Sequence, residues 1–164
     1  MEYIEGQEIL DEIAVSGAYS EQDAQLLYKQ ILEGLAYLHS QHVCHRDIKP
    51  SNILISKEKK RVVLVDFNIA KSVKEGDMML MYTKTAGTLA FAAPERLVDN
   101  CVYSEKVDIW AAGIVLVMLL TGSHPFETAG MTVKLIEDIM NGEDIVSQLL
   151  FGNDDISEEA KDLA

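Results

Sequence analysis

Ile109 to Leu120 is a run of twelve residues without a single charged or hydrogen-bonding aliphatic side chain. It is too short to cross a bilayer, so it must be sheathed by other parts of its own chain. Ser104 stands before it as a candidate cap, and the run reads as a helix that is apolar almost all round and therefore central. The chain has enough material to surround it. It has 164 residues, 48% of them hydrophobic, which suits one ordinary globular domain.

A partner for this helix is written upstream. Ser20-Glu21-Gln22-Asp23 has the form of a helix start, with an acid three residues after the cap. Ala24, Leu27, Ile31, Leu35 and Leu38 then recur at helical spacing, which predicts one apolar face running to about Ser40. Two short apolar strands follow, Ile53 to Ile55 and Val62 to Val65, joined by the charged turn Lys57 to Lys60. Asp66 to Ala93 lacks a sustained period and reads as a long loop, a feature that in compact domains is usually functional. Shorter helices are expected over Thr132 to Met140, stopped at Asn141-Gly142, and from Ser157 onward. The fold class predicted is mainly α with a small β-ribbon.

Charge and cysteine usage narrow the classes further. The net charge of −13 argues against general nucleic-acid binding and is compatible with basic partners. Met1-Glu2-Tyr3-Ile4-Glu5 has no basic segment followed by an apolar one, so no signal peptide and no membrane segment are evident. Cys44 and Cys101 are isolated thiols, and His39, His42 and His124 share no metal-like spacing and read as surface or helix-end residues. A cytoplasmic or nuclear location is the expectation.

His45-Arg46-Asp47-Ile48-Lys49-Pro50-Ser51-Asn52, between a helix and a strand, resembles the catalytic loop of protein kinases. The family's other marks follow in order: Asp66-Phe67-Asn68 after a strand, Gly87-Thr88, Ala93-Pro94-Glu95, and Asp108-Ile109-Trp110 opening the apolar helix. The resemblance implies a eukaryotic-type serine/threonine kinase acting on a protein substrate, with ATP and Mg2+ as nucleotide and metal. It implies that Asp47 accepts the proton of the substrate hydroxyl and that Lys49 contacts the transferring phosphate. Asn52 and Asp66 would be the metal ligands, oxygen donors of the hard kind magnesium takes. Met1 to Glu8 is similar to the kinase hinge, where Glu2 and Ile4 would meet adenine, Glu8 the ribose or a substrate arginine, and Leu54 the underside of the base. His45 and Phe67 would be packing residues, and Asp108 the buried acid that anchors the catalytic loop. Arg46 would pair with a phosphorylated activation loop, and Glu95 belongs to the loop's closing motif. Lys49-Pro50 together with Thr88 implies serine/threonine specificity, and Lys-Pro-Ser-Asn with Gly-Thr-Leu-Ala-Phe is loosely similar to the calmodulin-dependent kinases.

Three departures from the family pattern matter. Asn68 stands where kinases carry glycine; asparagine tolerates left-handed backbone, so a stiffer loop is expected rather than a lost metal site. Lys84 stands three residues before Gly87, where many kinases carry the phosphorylated threonine, leaving Thr83 and Thr85 as candidate phosphorylation sites. The chain contains no G-x-G-x-x-G and no strand lysine to hold phosphates. It is therefore expected to be a C-terminal lobe, with 1–8 as hinge and 9–164 as a lobe stopping short of its last helices. Alone it is expected to be inactive and poorly soluble. The alternatives are a pseudokinase and an isolated C-lobe interaction module.

Overall fold

The computed structural model describes residues 5–56, 61–72, 88–96, 104–126, 141 and 156–163. Strand β1 (Gly6–Glu8) leads into α1 (Ile9–Ser16) and the long α2 (Glu21–Ser40). Strands β2 (Val43–Cys44), β3 (Ile53–Ser56), β4 (Val62–Leu64) and β5 (Lys71–Ser72) follow. The apolar helix is α3 (Lys106–Thr121), and α4 (Glu158–Leu163) is the last described element. The charged turn Lys57 to Lys60 and the helix expected over Thr132 to Met140 lie outside the described residues, as do Glu2, Ile4, Thr83 and Thr85.

The capping reading of α2 holds. The Ser20 hydroxyl accepts the Asp23 N–H at 3.2 Å and donates to the Asp23 carboxylate at 2.8 Å. Ala24, Leu27, Ile31 and Leu35 are buried along one face, which packs against α3. Helix α3 is buried on nearly every side from Val107 to Leu120, as its composition demands. Its start differs in detail: Glu105 is the capping residue, and Ser104 instead accepts the Lys106 N–H at 3.3 Å. Its end turns on Gly122, at φ 75°, whose N–H reaches the Met118 carbonyl at 2.8 Å. There a side chain would be strained and would also press on the Ala18 backbone.

The β content is larger than a two-stranded ribbon. Gly6–Glu8 adds an antiparallel strand to β3, giving the order β1-β3-β4, and β2 pairs with β5 in a separate two-stranded sheet. Gly6 makes the first pairing feasible, because a Cβ there would overlap the Ile55 carbonyl. The free edge of β4 is covered from α2, where the Gln30 side chain accepts the Val62 N–H at 3.0 Å. Gly34 lets α2 approach this sheet, since a Cβ there would stand 3.2 Å from Leu64.

The main core runs through Ile9, Ile31, Leu35, Ile48, Ile53, Val115 and Leu119. A second cluster of Cys44, Ala93 and Val107, flanked by Trp110, lies beneath the start of the His45-Arg46-Asp47 loop. The loop is thus wedged between two apolar anchors: Ile48 belongs to the first, and Cys44 to the second.

Candidate active site

The turn after β2 is built around Asp108, an acid at the start of the most buried helix. Its carboxylate accepts the His45 and Arg46 backbone N–H groups, each at 2.8 Å, and His39 Nε2 at 2.9 Å. Burial pushes its carboxyl up, but the His39 bond and the Arg46 and His45 amides outweigh that and hold it below the usual carboxylate range. An ionised carboxylate only accepts, so His39 Nε2 carries the proton in this contact. Burial, with Asp108 beside it, pushes the Cys44 thiol up, so this cysteine is a packing residue without thiolate character.

The His45 ring is fully buried. It lies 3.0 Å from the Val65 carbonyl through Nε2, while Nδ1 accepts the Asp47 N–H at 3.3 Å. It also packs on Phe67, with ring centroids 4.7 Å apart. The pair thereby ties the Asp47 loop to the segment after β4. Arg46 has a φ of 70°, in the left-handed region unusual for a residue with a side chain, and its guanidinium donates to the Ile69 carbonyl.

Asp47 emerges from this turn into a dense polar set. One carboxylate oxygen accepts Lys49 Nζ at 2.8 Å and Asn52 Nδ2 at 2.9 Å. The other accepts the Thr88 N–H at 3.0 Å and, more loosely, its hydroxyl at 3.3 Å. Lys49 also donates to that hydroxyl at 2.9 Å. Partial burial raises the Asp47 carboxyl, yet Lys49, the Thr88 amide and Asn52 together leave it below its ordinary value. Asp47 is therefore ionised at neutral pH and fixed in direction. The segment 47–52 and Thr88, 41 residues beyond Asp47 along the chain, converge here.

Asn52 ends a 3-10 turn started by Pro50, and both protons of its amide go to Asp47, one to the carboxylate and one to the carbonyl at 2.8 Å. The amide oxygen makes no hydrogen bond among the described residues. The Asn52 backbone carbonyl accepts the Val65 N–H at 3.0 Å, which brings Asp66 to the same end of the β3–β4 pair. Asp66 is exposed, at φ 64°, and among the described residues its carboxylate is engaged only by the Asn68 N–H at 3.4 Å. Two free oxygen donors at one strand end fit a hard divalent cation that draws its remaining ligands from phosphate and water. Among the described residues no group of three His, Cys, Asp or Glu gathers elsewhere as a metal site.

Asn68 itself is not at positive φ; Asp66 is. The strained position of the motif is thus borne by its acid, and Asn68 closes an ordinary turn after it. Glu8 pairs directly across from Leu54, so those two expected nucleotide contacts share one face of the sheet, opposite the buried Ile53 and Ile55. A groove of about 740 Å3 between α2, α3 and α4 shares no residue with this set.

Three contacts were not foreseen from sequence. His39 stands in the last turn of α2, a helix-end position as expected, but four residues beyond Leu35 it turns inward, is partly buried and meets Asp108. His124 is likewise packed, against Phe91 and Phe126, with Nε2 at 3.0 Å from the Ala90 carbonyl. Arg96 donates to the Arg46 carbonyl at 3.1 Å, and nothing in the sequence signals it.

A sequence model of the protein kinase domain matches residues 1–164. The chain is 42% identical to the serine/threonine-protein kinase cds1 of Schizosaccharomyces pombe, over 99% of this chain and 35% of the relative. It is 36% identical to the mouse sperm motility kinase 2B, over 92% of this chain and 30% of the relative. It is 38% identical to the human serine/threonine-protein kinase H1, over 87% of this chain and 34% of the relative. The chain thus spans about a third of the length of these curated relatives.

Proposed function

Because this chain belongs to the protein kinase domain family, we propose that the full-length protein transfers the γ-phosphoryl group of ATP to serine or threonine hydroxyls of protein substrates. The observation that carries this reading is the fixed, ionised Asp47 with Lys49 and Thr88 on it. A substrate hydroxyl takes over the lone pair that the Thr88 hydroxyl holds weakly at 3.3 Å. Asp47 then accepts its proton as the oxygen bonds to the γ-phosphorus and the bond from that phosphorus to the β,γ-bridging oxygen breaks, releasing ADP. Lys49, already 2.8 Å from Asp47, lies close enough to place its ammonium on the transferring phosphoryl oxygens. Asn52 and Asp66 would hold Mg2+, whose contribution is to neutralise charge on the triphosphate. Glu8 and Leu54, with Glu2 and Ile4, would form the adenosine side of the cleft.

His45, Phe67 and Asp108 act by holding Asp47, and Asn68 takes no part in the chemistry. Arg46 with Thr83 or Thr85, and Glu95 with Thr88, form the regulatory and substrate-facing segment of this reading. Residues 1–8 are the hinge and 9–164 part of the C-terminal lobe. The 164 residues alone transfer negligible phosphate, since they contain no Gly-rich loop to hold the nucleotide. The loose likeness to calmodulin-dependent kinases and a cytoplasmic or nuclear setting complete the reading, the latter in keeping with the free Cys44 thiol. No helix among the described residues is long and apolar enough to cross a membrane. The test is phosphate transfer from radiolabelled ATP by the full-length protein, with Asp47→Asn as control.

A further inference from the structure

The geometry points to Arg96 as a positioning residue for Asp47, acting through the peptide unit that joins Arg46 to Asp47. This rests on the phosphotransfer reading above. That peptide unit is pinned at both ends: its oxygen accepts Arg96 Nη1 at 3.1 Å, and its N–H donates to His45 Nδ1 at 3.3 Å. A peptide is a rigid plane, so its rotation is what would redirect the Asp47 side chain. Rotation is a live alternative here because Arg46 sits at φ 70°, a sparsely populated region that must be enforced by its surroundings. Asp108 enforces it from the amide side of Arg46, at 2.8 Å, and Arg96 from the carbonyl side.

Arg96 is well placed to bear this role. It ends the single turn Pro94–Arg96, whose Pro94 is buried, its N–H reaches the Ala93 carbonyl at 2.9 Å, and Ala93 is buried beside Cys44 and Val107. A guanidinium donor on a rigid base makes a charge-assisted bond that a neutral side chain cannot replace. The segment 88–96 therefore grips Asp47 twice, with Thr88 on the carboxylate and Arg96 on the backbone behind it. Order in this segment and the aim of the base are one event, so anything that displaces the segment also misdirects Asp47.

The test compares Arg96→Met and Arg96→Lys in the full-length protein. Met keeps the stem and removes the donors; Lys keeps a charged donor. We expect Arg96→Met to lower kcat on the order of tenfold while KM for ATP moves less than about twofold. Arg96→Lys should recover kcat to within about threefold of the parent. Amide exchange over residues 44–49 should rise about tenfold in the Met variant, with α2 unchanged. Parental kcat in Arg96→Met, or a Lys variant no better than Met, overturns the assignment, and so does faster exchange spread through α2 and α3. If the parent transfers no phosphate, the reading beneath fails, and exchange over 44–49 alone decides whether Arg96 clamps this turn.

Discussion

Asp108 and His39 show how much of this site depends on side chains that never meet a substrate. Asp108 is buried, yet its carboxyl is held below the ordinary range because three N–H groups face it. A depressed native value stabilises the fold at every pH above the unfolded value of about 4, and that stability is lost as pH falls through the native value. Asp108→Asn should therefore show a shallower loss of thermal midpoint between about pH 4 and pH 2 than the parent. At pH 7 it should be less stable, by about 2–4 kcal/mol, since two buried N–H groups lose a charged acceptor. Thermal unfolding from pH 4 to pH 2 measures the first, and urea unfolding at pH 7 the second. Asn68 makes the opposite prediction. It occupies ordinary backbone, so Asn68→Gly should change stability by no more than about 1 kcal/mol and leave phosphate transfer within about threefold.

The long helices were legible because many residues each repeat one message. In α2, a cap and five apolar residues at helical spacing agree, and Ser20→Ala should cost about 1 kcal/mol in a urea titration. Leu35→Ala, fully buried in the main core, should cost about 2–5 kcal/mol by the same measurement. Helix α1 was not legible: it has no side-chain cap, and only Ile9 and Ile13 are buried in it. Strands β2 and β5 have two residues each, too few for any period, and exist because the chain on either side is already anchored. Strand β1 owes its pairing to Gly6, whose missing side chain is a negative signal in sequence. A motif names residue types at fixed spacing, so it singles out candidate site residues where an element of two or three residues has no period to read. What spacing could not give was contact across the chain. Thr88 lies 41 residues from Asp47, and Arg96 lies 50 from Arg46.

Among the described residues a polar focus forms around Asp47, with Lys49, Asn52 and Thr88 donating to it and His45 and Asp108 holding the turn that carries it. The family pattern read from four motifs and the protein kinase match over residues 1–164 agree on the family. The most direct measurement is single-turnover phosphate transfer from ATP by the full-length protein and by its Asp47→Asn variant. The account predicts transfer by the parent to serine or threonine. It predicts a fall in the variant's rate constant of about 10²–10⁴, with thermal midpoint and ATP affinity little changed. A variant that transfers phosphate at the parental rate would contradict it.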